Sequence, residues 1–434
     1  MEYIPKVIRY RKSLFLWFIY IIIISTLYHI LTEYSLWEYW GVQSYDIHFT
    51  DLHVLLCSID AYHNGYNPFL ENPTCTWNIP HVYSRLWFYF HYVGFSDANR
   101  LYIGLFLIVS VMGVAAFILQ NNIRVSILFI VSPVFMLAIE RCNNDLIILL
   151  LLIVPLLLVL KTNLISTLIT HLVLFLLVAL KYYPIACCII FLFRKESIKK
   201  NLFHILLQMV FFIFWIIYVK NDLILQKDTI PDPGYSWSFG FNSLISFFSN
   251  SLSINIEIPY FILILLTILY ISFIIRLIGN SKLYTCNNKD FIKKYIITFI
   301  IGSSILCFCY FVRTSFDHRM VFLIFCIPLM LYNYTSKRKK IYLLINTKLL
   351  FTLFLISSWM EFFCIWIVKL LKSMDYHIYI PNTLFIIRIT ELIINHIIFS
   401  TLLALLVYLI IEMILKTNYL KNNSSVTESS NLNG

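Results

Sequence analysis

Long apolar runs, separated by short polar segments, dominate the pattern of this 434-residue chain. A run of about 20 mainly apolar residues can cross a bilayer as one helix. Twelve such runs occur, at 13–31, 101–119, 125–139, 145–160, 164–180, 184–193, 203–219, 259–277, 295–311, 320–335, 347–368 and 393–415. Three of these runs, 125–139, 145–160 and 184–193, fall short of a full crossing and are predicted to be tilted pairs, half-helices or re-entrant segments. The pattern predicts an all-α, polytopic transmembrane protein of about 10–13 spans.

The composition strengthens this prediction and excludes a soluble protein. Hydrophobic residues make up 60% of the chain and charged residues only 13%, whereas a soluble domain has about 25% charged residues. The first apolar run follows a basic cluster and has no small-residue cleavage site, which predicts a retained signal anchor. Membrane lipids are therefore expected to contact most of the chain.

The net charge of +11 is explained by topology, so no nucleic-acid partner is expected. With the N-terminus inside, most of the 33 Lys and Arg residues fall on the cytoplasmic side, as the positive-inside rule requires. This layout predicts a basic cytoplasmic N-terminus (1–12), a transmembrane domain (13–415) and a disordered cytoplasmic tail (416–434) rich in Asn and Ser.

Three stretches are predicted to be external and long enough to build a site: 32–100, 220–258 and 369–392. The aromatic segments Trp87–Tyr92 and Phe239–Phe248 within the first two predict short interfacial helices. Two cysteines of the first stretch, Cys57 and Cys75, leave a disulfide as one alternative. The cysteines show no paired metal-ligand spacing, so neither a metal site nor another cofactor is predicted. Asp46 and Asp51 offer oxygen ligands for a divalent cation, which nothing in the sequence requires.

Polar residues at membrane depth cost roughly 2.5–3.5 kcal/mol each on insertion scales, so clusters of them indicate a function. Four clusters interrupt the apolar pattern, and the predicted topology places all four outside. The first contains Asp51, shortly after the first span. A carboxylate at a partly dry surface can act as a general base. The alternative is a loop acid that caps a helix beginning near Thr50.

The second cluster, residues 140–145, joins two apolar runs. Its three charges and two amides exceed what a helical hairpin needs, so Arg141, Asn143 and Asp145 are candidates for shaping a site. The alternative is a turn whose charges pair with one another. In the third cluster, Lys181 offers a point charge and Tyr183 a hydroxyl donor for a phosphate. A lysine that snorkels among interfacial tyrosines is the alternative.

The fourth cluster, residues 313–319, contains Arg313, Asp317, His318 and Arg319. Two guanidinium groups and an imidazole within seven residues suit an anion, because guanidinium binds phosphate oxygens bidentately. The alternative is an Asp317–Arg319 ion pair without a ligand. Taken together, an external acid and three cationic span ends fit group transfer from a lipid-linked phosphate donor, with the cations stabilising the departing phosphate.

The clusters occur in an order that resembles a known family of membrane enzymes. Asp51, followed by the run from Asp60 to Phe69 with its Gly65-Tyr-Asn-Pro-Phe segment, is similar to the opening of glycosyltransferases of the GT-C class. Residues 140–145 resemble the Glu-Arg-Gly-Asn-x-Asp motif of glycosyltransferase family 87, the polyprenyl-phosphate-mannose-dependent enzymes and their bacterial relatives. Residues 180–184 resemble their Lys-x-Tyr-Pro motif, and 315–319 their Tyr-Asp-Tyr-Arg segment. Cys142 stands where the family has glycine, and 79–85 lacks the expected Tyr-Pro-Pro pattern.

The resemblance, which covers residues 13–335, implies a GT-C-like fold and an inverting transfer of a hexose such as mannose. The donor would be a polyprenyl-phosphate sugar, and the acceptor a lipid-linked or surface glycan outside a bacterial plasma membrane. Asp51 would be the base, and the donor phosphate would meet a set of polar side chains: Lys181, Tyr183, Arg313, His318 and Arg319. Arg141, Asn143, Asp145 and Asp317 would shape the site. Two other classes remain open: a transporter or flippase of lipid-linked saccharides, and a polysaccharide polymerase or ligase.

Overall fold

The protein is almost entirely helical, in a computed structural model that describes residues 34–119, 123–227, 229, 238–253, 255–279, 289–312, 315–335, 347–374 and 380–431. The α-helices are α1 (Tyr34–Tyr39), α2 (Thr50–His63), α3 (Arg100–Leu119), α4 (Ile123–Ile130), α5 (Pro133–Arg141), α6 (Asp145–Leu151), α7 (Ile153–Leu158), α8 (Leu164–Leu180), α9 (Ile198–Gln226), α10 (Phe241–Leu252), α11 (Glu257–Gly279), α12 (Lys289–Val312), α13 (Ile327–Thr335), α14 (Thr347–Ser373) and α15 (Ile380–Asn431). Four 3-10 helices cover Arg85–Val93, Asp97–Asn99, Tyr183–Phe193 and Asp317–Phe325.

Six of the described helices are long and apolar enough to cross a membrane: Asp97–Leu119, Ile198–Gln226, Glu257–Ile278, Tyr295–Val312, Leu349–Ser373 and Thr383–Ile414. The prediction of an all-α, polytopic membrane protein is therefore confirmed. The predicted first span, 13–31, lies outside the described residues.

The remaining apolar runs form shorter elements, so the described residues hold fewer spans than the 10–13 predicted for the whole chain. The runs at 125–139 and 145–160 contain the helices Pro133–Arg141 and Asp145–Leu158, which bend by 100° and count as one broken span or a re-entrant loop. The run at 184–193 lies in a buried 3-10 helix. The run at 320–335 is divided between a 3-10 helix and α13. These runs are apolar because they are buried, and neighbouring protein segments can bury a run as well as lipid can.

The segments predicted as interfacial helices are both helical. Trp87–Tyr92 lies within the 3-10 helix Arg85–Val93, and Phe239–Phe248 overlaps α10. Trp87 is fully buried, and its indole Nε1 donates to the carbonyl of Leu180 at 3.3 Å. This contact ties the first loop to the residue just before Lys181.

The segment predicted as a disordered tail, 416–434, overlaps the end of the last helix, and its disorder stays a prediction. Helix α15 continues as helical backbone to Asn431. Once a helix exists, each further residue adds a hydrogen bond without a new nucleation cost, which allows a polar sequence to extend an apolar helix.

A two-residue antiparallel sheet joins two distant parts of the chain. Ser238 pairs with Phe316, and Phe239 pairs with Ser315. The sheet brings the second predicted loop to the residues immediately before His318 and Arg319. Phe239 is fully buried and stacks on Phe399 with a ring-centroid separation of 5.1 Å, which fixes this junction in the core.

Candidate functional site

Asp145 is the centre of the candidate site and is completely buried. Its Oδ1 atom accepts hydrogen bonds from Lys181 Nζ and from the Tyr183 hydroxyl, the latter at 2.7 Å. Its Oδ2 atom lies 3.3 Å from His318 Nε2 and 3.7 Å from Arg319 Nε. Asp145 begins α6, where the positive end of the helix dipole favours a carboxylate.

The predicted clusters of residues 140–145, 180–184 and 315–319 therefore meet at one carboxylate. Lys181 follows the end of α8, and the 3-10 helix of residues 183–193 begins two residues later. A buried charge is stable only when it is paired and hydrogen-bonded. Lys181 is 7% exposed, and Asp145 supplies its opposite charge. The alternative of a lysine that snorkels to the membrane surface is therefore wrong.

Asp51 lies beside this centre, in the first turn of α2. The Asn143 amide Nδ2 donates to Asp51 Oδ2 at 2.5 Å, and an Arg141 guanidinium nitrogen lies 3.9 Å from Oδ1. The Asp51 side chain keeps 18% of its surface exposed, in contrast to the closed Asp145. A second reactant can therefore reach Asp51.

Asn143 connects the two carboxylates. While its Nδ2 group donates to Asp51, its Oδ1 atom accepts from the Asp145 backbone amide at 2.9 Å and from Lys181 Nζ at 3.4 Å. The preceding residue, Cys142, adopts a left-handed conformation with φ 47°. This turn ends α5 and reverses the chain, so that the Asn143 side chain can reach both acids.

Arg319 is the most exposed of the predicted cations that the structure describes at this site. Its side chain is 25% exposed, and its guanidinium carbon lies 5.5 Å from the centre of the Tyr183 ring. One terminal nitrogen donates to the Ser315 hydroxyl at 2.9 Å, while the buried Nε faces Asp145 and has no hydrogen-bond partner within the described part of the chain. The exposed part of the side chain is open to a ligand.

Three uncharged side chains complete the site and were not predicted. Gln43 Oε1 accepts from Arg141 at 2.8 Å, and the Tyr45 ring lies 5.3 Å from the Arg141 guanidinium carbon. The Tyr83 ring lies 5.3 Å from Lys181 Nζ. Burial, together with the charges of Asp51 and Asp145, raises the pKa of Tyr83 well above its ordinary value, so its hydroxyl remains a donor. Tyr83 belongs to the segment where the family pattern is absent, so no motif marked it.

Asp317 lies in a different cluster from the one predicted. Its carboxylate is grouped with those of Glu361 and Glu391, and one oxygen of each lies within 4.8 Å of the others. Arg388 donates to Glu361 and, at 2.7 Å, to Glu391. Neither oxygen of Asp317 has a hydrogen-bond partner among the described residues, so the proposed Asp317–Arg319 ion pair is wrong. Arg388 and Glu391 are thus ion-pair partners next to Asp317.

Arg313 lies outside the described residues, so its predicted role stays a prediction. Asp46 is exposed. Two groups could hold a metal ion within the described ranges: the three acids just named, and His53 with Cys57 and Cys75. Both cysteines are buried free thiols rather than the disulfide considered from the sequence.

Comparison of the chain with protein-family models, curated proteins and solved structures finds no match. The arrangement of these side chains is therefore what indicates a function.

Proposed function

We propose that this protein is a membrane glycosyltransferase that transfers a hexose from a polyprenyl-phosphate sugar to a lipid-linked or surface glycan. One observation carries the proposal. A partly exposed acid, Asp51, lies 3.9 Å from Arg141, and Asn143 links it to the centre where Asp145 pairs with Lys181 and Arg319. Transfer from a sugar phosphate needs both a base for the acceptor and positive charge for the leaving group.

In this mechanism, Asp51 accepts the proton of the acceptor hydroxyl as the acceptor oxygen attacks the anomeric carbon of the sugar. The bond from that carbon to the phosphate oxygen breaks on the opposite face, and the phosphate leaves with the bonding electrons. The anomeric configuration is thereby inverted. Asn143 holds one oxygen of Asp51 through its 2.5 Å hydrogen bond, which leaves the other oxygen to the acceptor.

The side chains around Asp145 have two different roles in this proposal. Lys181 and Tyr183 both point at Asp145, so their main contribution is to hold that buried carboxylate in place. Arg319 is more exposed than Lys181, and it is assigned the direct contact with the departing phosphate. His318, which shares Asp145 with Arg319, supports this contact.

The first experiment measures transfer of label from a radiolabelled polyprenyl-phosphate hexose in proteoliposomes. Asp51→Asn keeps the size of the side chain and removes its basicity, so the rate should fall by about 10²–10⁴-fold. The matched control is Glu71→Gln, an exposed acid in the same predicted loop, which should transfer at the wild-type rate. Donor binding should be retained in both variants.

Two results would count against the proposal. Transfer by Asp51→Asn within a few-fold of wild type would exclude the general-base role. A folded wild-type protein that transfers label from no polyprenyl-phosphate hexose would favour the rival classes, the flippase or the polysaccharide ligase.

A further inference from the structure

Three buried side chains that could bind a metal lie outside the candidate site described above, and two of them are on the helix that carries Asp51. His53 and Cys57 are one helical turn apart on α2, and Cys75 comes from the following loop. One ligand atom of each residue lies within 4.8 Å of the others, and all three residues are buried. The sequence does not show this grouping, because Cys75 is 18 positions beyond Cys57 and forms no paired motif with it.

One distance within the cluster is that of two ligands on a tetrahedral zinc ion. Zinc binds sulfur at about 2.3 Å and imidazole nitrogen at about 2.0–2.1 Å, which separates two such ligands by about 3.5 Å at a tetrahedral angle. Cys57 Sγ lies 3.6 Å from His53 Nε2 and 3.3 Å from Nδ1. The Thr76 hydroxyl lies 3.2 Å from Nε2.

The other nitrogen of His53 has the outer partner that zinc-binding histidines usually have. A histidine that binds zinc donates its second ring N–H to a carboxylate or carbonyl, which fixes the orientation of the ring. His53 Nδ1 lies 2.8 Å from Asp97 Oδ1. Arg100 pairs with the same carboxylate at 3.0 Å, and its nitrogen lies 2.5 Å from Nδ1. Asp60 in turn accepts from the Asp97 backbone amide at 2.9 Å.

Both thiols are free and buried in the structure. A thiol binds a metal as the thiolate, so metal binding would release the thiol protons to the solvent.

We propose that His53, Cys57 and Cys75 bind one zinc ion that fastens the loop of residues 74–79 to helix α2. The role is structural, since the ligands are buried. Asp51 lies six positions before Cys57 on the same helix. Zinc would hold the helix that presents Asp51. The zinc site can be tested without measuring hexose transfer, because the test detects the bound metal itself.

The test uses the full-length protein in detergent, purified under reducing conditions and loaded with Co²⁺ in place of zinc. One equivalent of Co²⁺ should give the thiolate charge-transfer absorption and the visible bands of tetrahedral cobalt, and zinc should displace it. Cys57→Ser and Cys75→Ser should lose these bands. Cys364→Ser, which changes a buried thiol elsewhere, should keep them. Asp97→Asn should weaken binding by about 10–100-fold while keeping the bands.

Two outcomes would overturn the zinc site. One is a wild-type protein with both thiols free that shows no tetrahedral cobalt spectrum. The other is a Cys57–Cys75 disulfide, found by mass spectrometry of non-reduced peptides, as the only form isolated from cells. If a cysteine variant fails to fold, Asp97→Asn still tests the site, because it should keep the cobalt bands and bind Co²⁺ more weakly.

Discussion

At the scale of single residues, Arg319 is where the proposed chemistry is most directly testable. Arg319→Ala should raise the KM for the donor by roughly tenfold or more, because a charge-assisted hydrogen bond contributes about 1.5–3 kcal/mol. Arg319→Lys should recover only part of this, since a lysine lacks the fork that reaches both the ligand and Ser315. Initial rates at varied donor concentration measure the effect. The control is Lys220→Ala, an exposed cation on α9, and an unchanged donor KM in Arg319→Ala would remove Arg319 from the phosphate site.

Lys181 should behave differently, because its partner is a buried acid rather than the ligand. Lys181→Met leaves Asp145 short of a counter-charge and should destabilise the protein by about 3–5 kcal/mol. The double variant Lys181→Met/Asp145→Asn should regain much of that stability, because it removes both charges, but should remain inactive. Thermal unfolding of the purified proteins, with label transfer measured in parallel, separates the two effects. A single variant as stable as wild type would contradict the ion-pair role.

The sequence predicted which polar residues form the candidate site better than it predicted how those residues pair. Asp51, Asn143, Asp145, Lys181, His318 and Arg319 stand out because polar side chains are rare in an apolar chain, and the structure brings all of them together. The pairing of Lys181 with Asp145 could not be read from the sequence, because it depends on how two helix ends meet. Gln43 and Tyr83 were missed because an uncharged side chain in a loop carries no comparable signal.

At the scale of elements, the turn between α5 and α6 places Cys142 in a left-handed conformation. Its left-handed backbone costs a non-glycine residue about 1–2 kcal/mol. Cys142→Gly should therefore be more stable than Cys142→Ala, although both lose the buried thiol. Cys142→Val should be the least stable, since a branched side chain fits this conformation worst. Thermal midpoints of the three variants test this order, and Ala above Gly would contradict it.

Hydropathy predicted the existence of elements well and their hydrogen-bond pattern poorly. The predicted run 164–180 coincides with α8, Leu164–Leu180, because this uninterrupted apolar stretch forms a single helix. The run 184–193 instead forms a 3-10 helix. Apolarity reports that a segment avoids water, but it cannot separate i→i+3 from i→i+4 hydrogen bonding.

At the scale of the whole molecule, the orientation in the membrane is open to a direct test. The nine described cysteines are all buried, so a parent protein with Cys286→Ser should label weakly with a membrane-impermeant maleimide. Tyr66→Cys in the first predicted external loop should label in intact cells. Lys161→Cys, at an exposed position predicted to be cytoplasmic, should label only after the cells are opened. Labelling of Lys161→Cys in intact cells would refute the predicted layout.

The 100° bend between Pro133–Arg141 and Asp145–Leu158 has a consequence for counting. A re-entrant loop returns the chain to the leaflet from which it came, as two complete crossings would. A single broken span delivers it to the opposite leaflet. The side of the membrane on which every later segment lies therefore depends on this bend. An odd or an even number of crossings there decides whether the last helix ends inside or outside the cell.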